Sequence, residues 1–134
     1  MSFPGFLIES VGFPRNHHAI LVETSQAGGG YIFQVTGNVQ EGMRYEKKSA
    51  DSAPETDPLF LGKKRLGWVA AGNMERLDAI CKSNPAPEKQ FEGAKKITTY
   101  AVRRCQEWTT ETIELLKSHG VLVDEGADDV SGES

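Results

Sequence analysis

The apolar residues of this chain change their spacing near residue 70, and that change restricts the fold more than any other feature. Up to that point short aliphatic and aromatic runs are separated by turn-forming residues. They cover 6–11, ended by Gly12-Phe13-Pro14, then 17–22 and 31–36 on either side of Gly28-Gly29-Gly30. Such runs read as strands, the last two as a hairpin with a flexible connection. Residues 43–48 alternate large or apolar with charged side chains, the period of a half-buried strand; 59–69 supplies one or two more, and 49–58 is a polar loop between them. Further on, Met74, Leu77, Ile80 and Cys81 fall on one helical face behind Asn73, a capping residue, and Pro85 and Pro87 end that segment. After a polar connection over 83–93, a longer helix is expected from about Tyr100 to His119, closed by Gly120. Cys105, Trp108, Thr112, Leu115 and Leu116 form its inward stripe. Strands followed by helices imply an α+β fold, an antiparallel sheet of about four to six strands packed against two helices.

With 134 residues, 38% of them apolar and 25% charged, the chain suits one domain that buries roughly two-thirds of its surface. That domain is expected over 1–123. Residues 124–134 are acidic and lack the apolar side chains that would offset the entropy of ordering, so a disordered tail is expected there. Lys and Arg number 15 against 19 Asp and Glu; setting aside Asp124, Glu125, Asp128, Asp129 and Glu133 leaves the body close to neutral. A nucleic-acid binder needs a clear basic excess, so no nucleic-acid partner is expected. Apolar stretches such as Phe6-Leu7-Ile8 and Leu59-Phe60-Leu61 fall far below the roughly twenty residues of a membrane span, and the amino-terminal segment has no basic residues ahead of them, so it does not read as a secretion signal. Two cysteines, Cys81 and Cys105, are too few for a disulfide scaffold. They are expected as thiols in a cytoplasmic protein.

Five polar residues are candidates for chemistry: His17, His18, Gln34, Cys105 and His119. Each also has a structural reading. Cys105 on an apolar stripe can act as a small hydrophobe, and Gln34 can occupy the exposed side of its strand. His119, in a last helical turn, complements the helix dipole. His17 and His18 are adjacent in a strand and point to opposite faces, which leaves open which of them meets Cys105. A helix starting at Thr98 or Thr99, both able to cap, would put Cys105 two turns in and remove it from the dipole. No paired short-spaced ligands announce zinc, and Gly28-Gly29-Gly30 lacks the lysine of a phosphate loop. Neither metal nor cofactor is expected. Trp68 and Phe91 are expected in the core.

The run His17-His18-Ala19-Ile20-Leu21-Val22, followed by Tyr31-Ile32-Phe33-Gln34-Val35, resembles the His-Trp-Ala-aliphatic strand and hairpin partner of the lecithin retinol acyltransferase-like proteins, permuted members of the NlpC-type, papain-like superfamily. Arg104-Cys105-Gln106-Glu107-Trp108 is similar to their later helix motif Asn-Cys-Glu-His-Phe, in the same chain order. Val35-Thr36-Gly37-Asn38, Pro85-Ala86-Pro87-Glu88-Lys89 and the segment around Cys105 also resemble a group of uncharacterised fungal proteins of similar size. The resemblance implies a permuted papain-like arrangement, with Cys105 as nucleophile, His17 as base and Gln34 in the third position, where those proteins carry a second histidine. It implies a thiol hydrolase or acyltransferase acting on an amide, ester or thioester of a small molecule or peptide. The departures, Gln34 and Arg104, keep a second reading open: an inactive papain-like module that binds small molecules or proteins, in fungal secondary metabolism among other settings.

Overall fold

Alternation of apolar and polar side chains gives four early strands two unlike faces, and antiparallel pairing lets the apolar faces share one side. The computed structural model describes residues 1–12 and 15–124. Strands β1 (Ser2–Ser10), β2 (His17–Glu23), β3 (Gly30–Asn38), β4 (Gly42–Ala50) and β5 (Phe60–Ala70) form one antiparallel sheet in the order β4-β3-β2-β1-β5. Helices α1 (Met74–Ser83) and α2 (Cys105–Ser118) complete the α+β fold, with a small ladder between β6 (Phe91–Glu92) and β7 (Lys95–Lys96). The expected polar stretch 49–58 contains one 3-10 turn, Pro54–Thr56.

The core lies between the sheet and the helices. Ile20, Val22, Phe33, Val35 and Val69 meet Leu77, Cys81, Trp108 and Leu116 there. Trp108 is wholly buried, its ring 5.8 Å from that of Tyr45 and its indole N–H donating to the Asn84 carbonyl. Tyr45 in turn donates to Asp78 on α1 at 2.6 Å. The sheet's other face carries Phe6, over which Lys63 and Arg65 lie. Trp68 and Phe91 are half-buried rather than core, and Arg65 stacks on Trp68. No helix among the described residues is long and apolar enough to cross a membrane. The expectation of a disordered tail falls, apart from Asp124, outside the described residues.

Helix α2 corrects the sequence reading. It begins at Cys105, not near Tyr100. The reason is a clamp: the fully buried Gln90 side chain accepts from the Arg103 N–H and donates to the Arg103 carbonyl, both at 2.7 Å. Both backbone groups of Arg103 are thus taken as they would be in a sheet. Arg104 follows with extended backbone, its N–H donating to Glu107 Oε1 at 2.7 Å, the acidic half of a helix-capping arrangement. On the inward stripe Ile113 is buried and Leu115 only partly so.

Candidate active site

The ladder between β2 and β3 holds only from Ile20↔Phe33 to Glu23↔Gly30, while β1 continues to pair with β2 as far as His17 and β4 with β3 as far as Asn38. The two central strands therefore part at the end where β2 begins. Backbone carbonyls freed by that parting are met by the start of α2: Gln106 Nε2 donates to the Asn16 carbonyl, and Thr109 Oγ1 lies 3.5 Å from that of His18. Cys105 Sγ is 3.9 Å from the same Asn16 carbonyl. The helix thus substitutes for a missing stretch of strand, and its first residue is set beside the gap.

His17 occupies the gap. Its ring lines a cavity of about 160 Å³ together with Cys105, Arg104, Gln106 and Asn38. On the opposite face of the sheet it lines a second, of about 150 Å³, with Gln34, Ile32, Lys48 and Phe60. Its Nε2 is 2.8 Å from Gln34 Oε1. Gln34 is buried, 6% exposed, rather than on a solvated strand face, and its Nε2 donates at 2.7 Å to Glu46 Oε1, directly across the β3–β4 ladder.

This chain of bonds fixes a tautomer. A carboxylate only accepts, so Gln34 must turn its NH2 to Glu46 and its carbonyl to the ring. The ring then donates from Nε2, which leaves Nδ1 as the basic nitrogen of the neutral imidazole. Glu46 escaped the sequence reading. Its signal was present in the alternation of 43–48, but only the β3–β4 register makes it the partner of Gln34.

Cys105 and His17 perturb each other. Burial pushes the Cys105 thiol up, but hydrogen bonding to His17 and to the His18 backbone, with the charge of the imidazole, outweighs it and holds the thiol below its ordinary value. Hydrogen bonding with Cys105 raises His17, against burial and with help from Gln34. Both shifts favour a thiolate–imidazolium pair. Cys81 is the contrast, a thiol pushed up to about 12, chiefly by burial in the core. As the first residue of α2, Cys105 also lies among N–H groups that have no partner within the helix.

Of the sequence candidates, His17, Gln34 and Cys105 come together. His18 turns away, its Nε2 3.6 Å from Glu9 Oε2, and only its backbone serves the sulfur. His119 is exposed at the far end of α2, its Nδ1 donating to the Leu115 carbonyl at 2.8 Å. Among the described residues no three His, Cys, Asp or Glu side chains gather as metal ligands. A family model described as a family of unknown function, DUF6540, matches residues 6–123. Neither a curated protein nor a solved structure matches the chain.

Proposed function

The chain belongs to the DUF6540 family, and we propose that it is a thiol hydrolase or acyltransferase acting on an amide, ester or thioester, with Cys105 as nucleophile, His17 as base and acid, and Gln34 as the group that orients the ring. The observation that carries the reading is the thiol and imidazole coupled beside an open cavity, with opposite shifts that favour the charged pair. The resemblance to the lecithin retinol acyltransferase-like proteins, and through them to a permuted papain-like arrangement, supports the same roles.

The Cys105 thiolate attacks the carbonyl carbon, and the carbonyl electron pair moves to oxygen. N–H groups of the first turn of α2 stabilise that oxyanion, a contribution of about 3 kcal/mol per well-placed donor. The tetrahedral intermediate collapses; the bond to the leaving group breaks, and the imidazolium of His17 gives the leaving group its proton. A thioester on Cys105 remains. Water or an acceptor alcohol or amine, its proton taken by His17, then releases the acyl group and restores the thiolate. The cycle needs a reduced Cys105, which suits a cytoplasmic setting.

Incubation with small activated esters, thioesters and anilides, followed by intact-mass and peptide analysis, tests the proposal. An acyl adduct on Cys105, absent in Cys105→Ser and slowed in His17→Ala, is the expected result. Absence of any adduct from all three classes would overturn the enzymatic reading and leave the binding module.

A further inference from the structure

The cavity at Cys105 also indicates what kind of substrate it takes, an inference that rests on the thiol chemistry proposed above. Its charged wall is of one sign. Arg104 and Arg15 line it, and no Asp or Glu does so among the described residues, although the charge of Glu107 on the first turn of α2 reaches the sulfur and opposes the lowering of its thiol. The rest of the chain, apart from the acidic residues of 124–134, is close to neutral. Arg104, the extended residue just before the nucleophile, forms no ion pair among the described residues. Arg15 has only a loose partner: its guanidinium lies 3.6 Å from Glu107, with the two side chains 49% and 37% exposed, a geometry of little strength.

The neutral polar groups agree. Asn38 Oδ1 is occupied by the backbone N–H groups of Gln40 and Glu41, which leaves its NH2 to meet a ligand. Gln106 spends its NH2 on Asn16, and its Oε1 is closed off from solvent. Val39 and Met43 supply the apolar wall. The cavity, about 160 Å³, is smaller than the ~300 Å³ at which sites begin to enclose a whole drug-sized ligand. It therefore receives one end of a substrate and leaves the remainder outside.

We infer that the Cys105 cavity selects substrates carrying an anionic group, a carboxylate or a phosphate, close to the carbonyl under attack, with Arg104 and Arg15 as the residues that hold it. Guanidinium is suited to both anions through paired N–H donors. The same charges draw any small anionic electrophile toward the sulfur.

Iodoacetate and iodoacetamide are nearly the same size and differ in charge. Each forms a carbon–sulfur bond to the thiolate and releases iodide, so the ratio of their rates cancels the thiolate fraction and reads only the field at the sulfur. The ratio for Cys105, followed by peptide mass analysis, is compared with that of the uncharged thiol N-acetylcysteinamide in the same buffer. It is expected to favour iodoacetate, and to fall by about three-fold for each of Arg15→Gln and Arg104→Gln, the effect of one unit charge about 6 Å away in water. Raised ionic strength should erode it. A ratio equal to that of N-acetylcysteinamide overturns the inference, and so does a raised ratio unmoved in the double variant, which would assign the attraction to His17 alone. In either case rapid modification by iodoacetamide keeps the thiol reading intact. Failure of both reagents would instead remove that reading, and this inference with it. Inorganic phosphate and succinate, each tested as a protector of Cys105 against iodoacetamide at constant ionic strength, separate the two anion sources. Protection by either supports the site and names its ligand; protection by neither overturns it.

Discussion

At the scale of single residues, the site depends on which of two neighbouring histidines meets the sulfur, and strand geometry decides it. His17 stands where β2 has left β3, so its ring can pass between the strands; His18 is turned toward Glu9. The consequence is a pH dependence with a definite sign. Only the thiolate is alkylated, and Cys105 is held below the ordinary thiol value of 9.0. The rate of its reaction with iodoacetamide should therefore rise at lower pH than that of a free thiol, while Cys81, at about 12, stays silent throughout the neutral range. His17→Ala removes the hydrogen bond and the charge that lower the thiol and leaves only the His18 backbone bond against burial, so the rising limb should move to higher pH. Glu46→Gln should move it upward by a smaller amount, because an amide at 46 lets Gln34 present either end to the ring. Glu46 is exposed, so a fold defect is not expected to mimic this result. A profile unchanged in both variants would sink the relay.

At the scale of elements, the decisive event is where α2 begins. The apolar stripe around Cys105 and Trp108 was legible because a 3.6-residue period needs no tertiary information. The start was not, because Tyr100 to Arg104 carries no helix breaker and Thr98 and Thr99 are acceptable caps. What prevents earlier winding is Gln90, fourteen residues before Arg104 and within a stretch that reads as a plain polar connection. Long-range side-chain to backbone bonds of this kind leave no periodic trace. Gln90→Ala strips two part-buried backbone groups of their partners, at up to about 1–3 kcal/mol each, and frees Arg103 to join the helix. The variant should be destabilised by a few kcal/mol in urea unfolding, and at pH values where it remains folded Cys105 should lose reactivity as it moves away from the first turn. Wild-type stability and reactivity would show that the capping bond from Arg104 to Glu107 alone sets the boundary.

At the scale of the molecule, a thiol and an imidazole from opposite ends of the chain meet only if both ends are tied to one framework. Asn16 and Cys105, in contact at the site, are 89 residues apart in sequence. The sequence showed strands before helices and hence the α+β class, but not the parting of β2 from β3 or the course of the chain after α2, since neither is encoded in local spacing. After Gly120 the chain turns back: Val121 and Leu122 are buried at 1% and 4% exposure, and Val123 exchanges both backbone hydrogen bonds with Trp68 on β5, at 2.7 and 3.0 Å. Gly67 makes that approach possible, since a Cβ there would lie 2.3 Å from the Val123 carbonyl oxygen, and its φ of +148° is open mainly to glycine. This latch fixes the far end of the helix whose near end presents Cys105. Truncation after Gly120 deletes two buried aliphatic side chains, worth about 1.5–3 kcal/mol each, together with the bridge, while truncation after Asp124 leaves every one of these contacts in place. The shorter chain should unfold at markedly lower denaturant, and its Cys105 reactivity should fall together with its tertiary signal rather than ahead of it. If the chain ending at Gly120 matched the one ending at Asp124 in both respects, α2 would be held by its sheet-facing stripe alone, and the site would not depend on the return of the chain to β5.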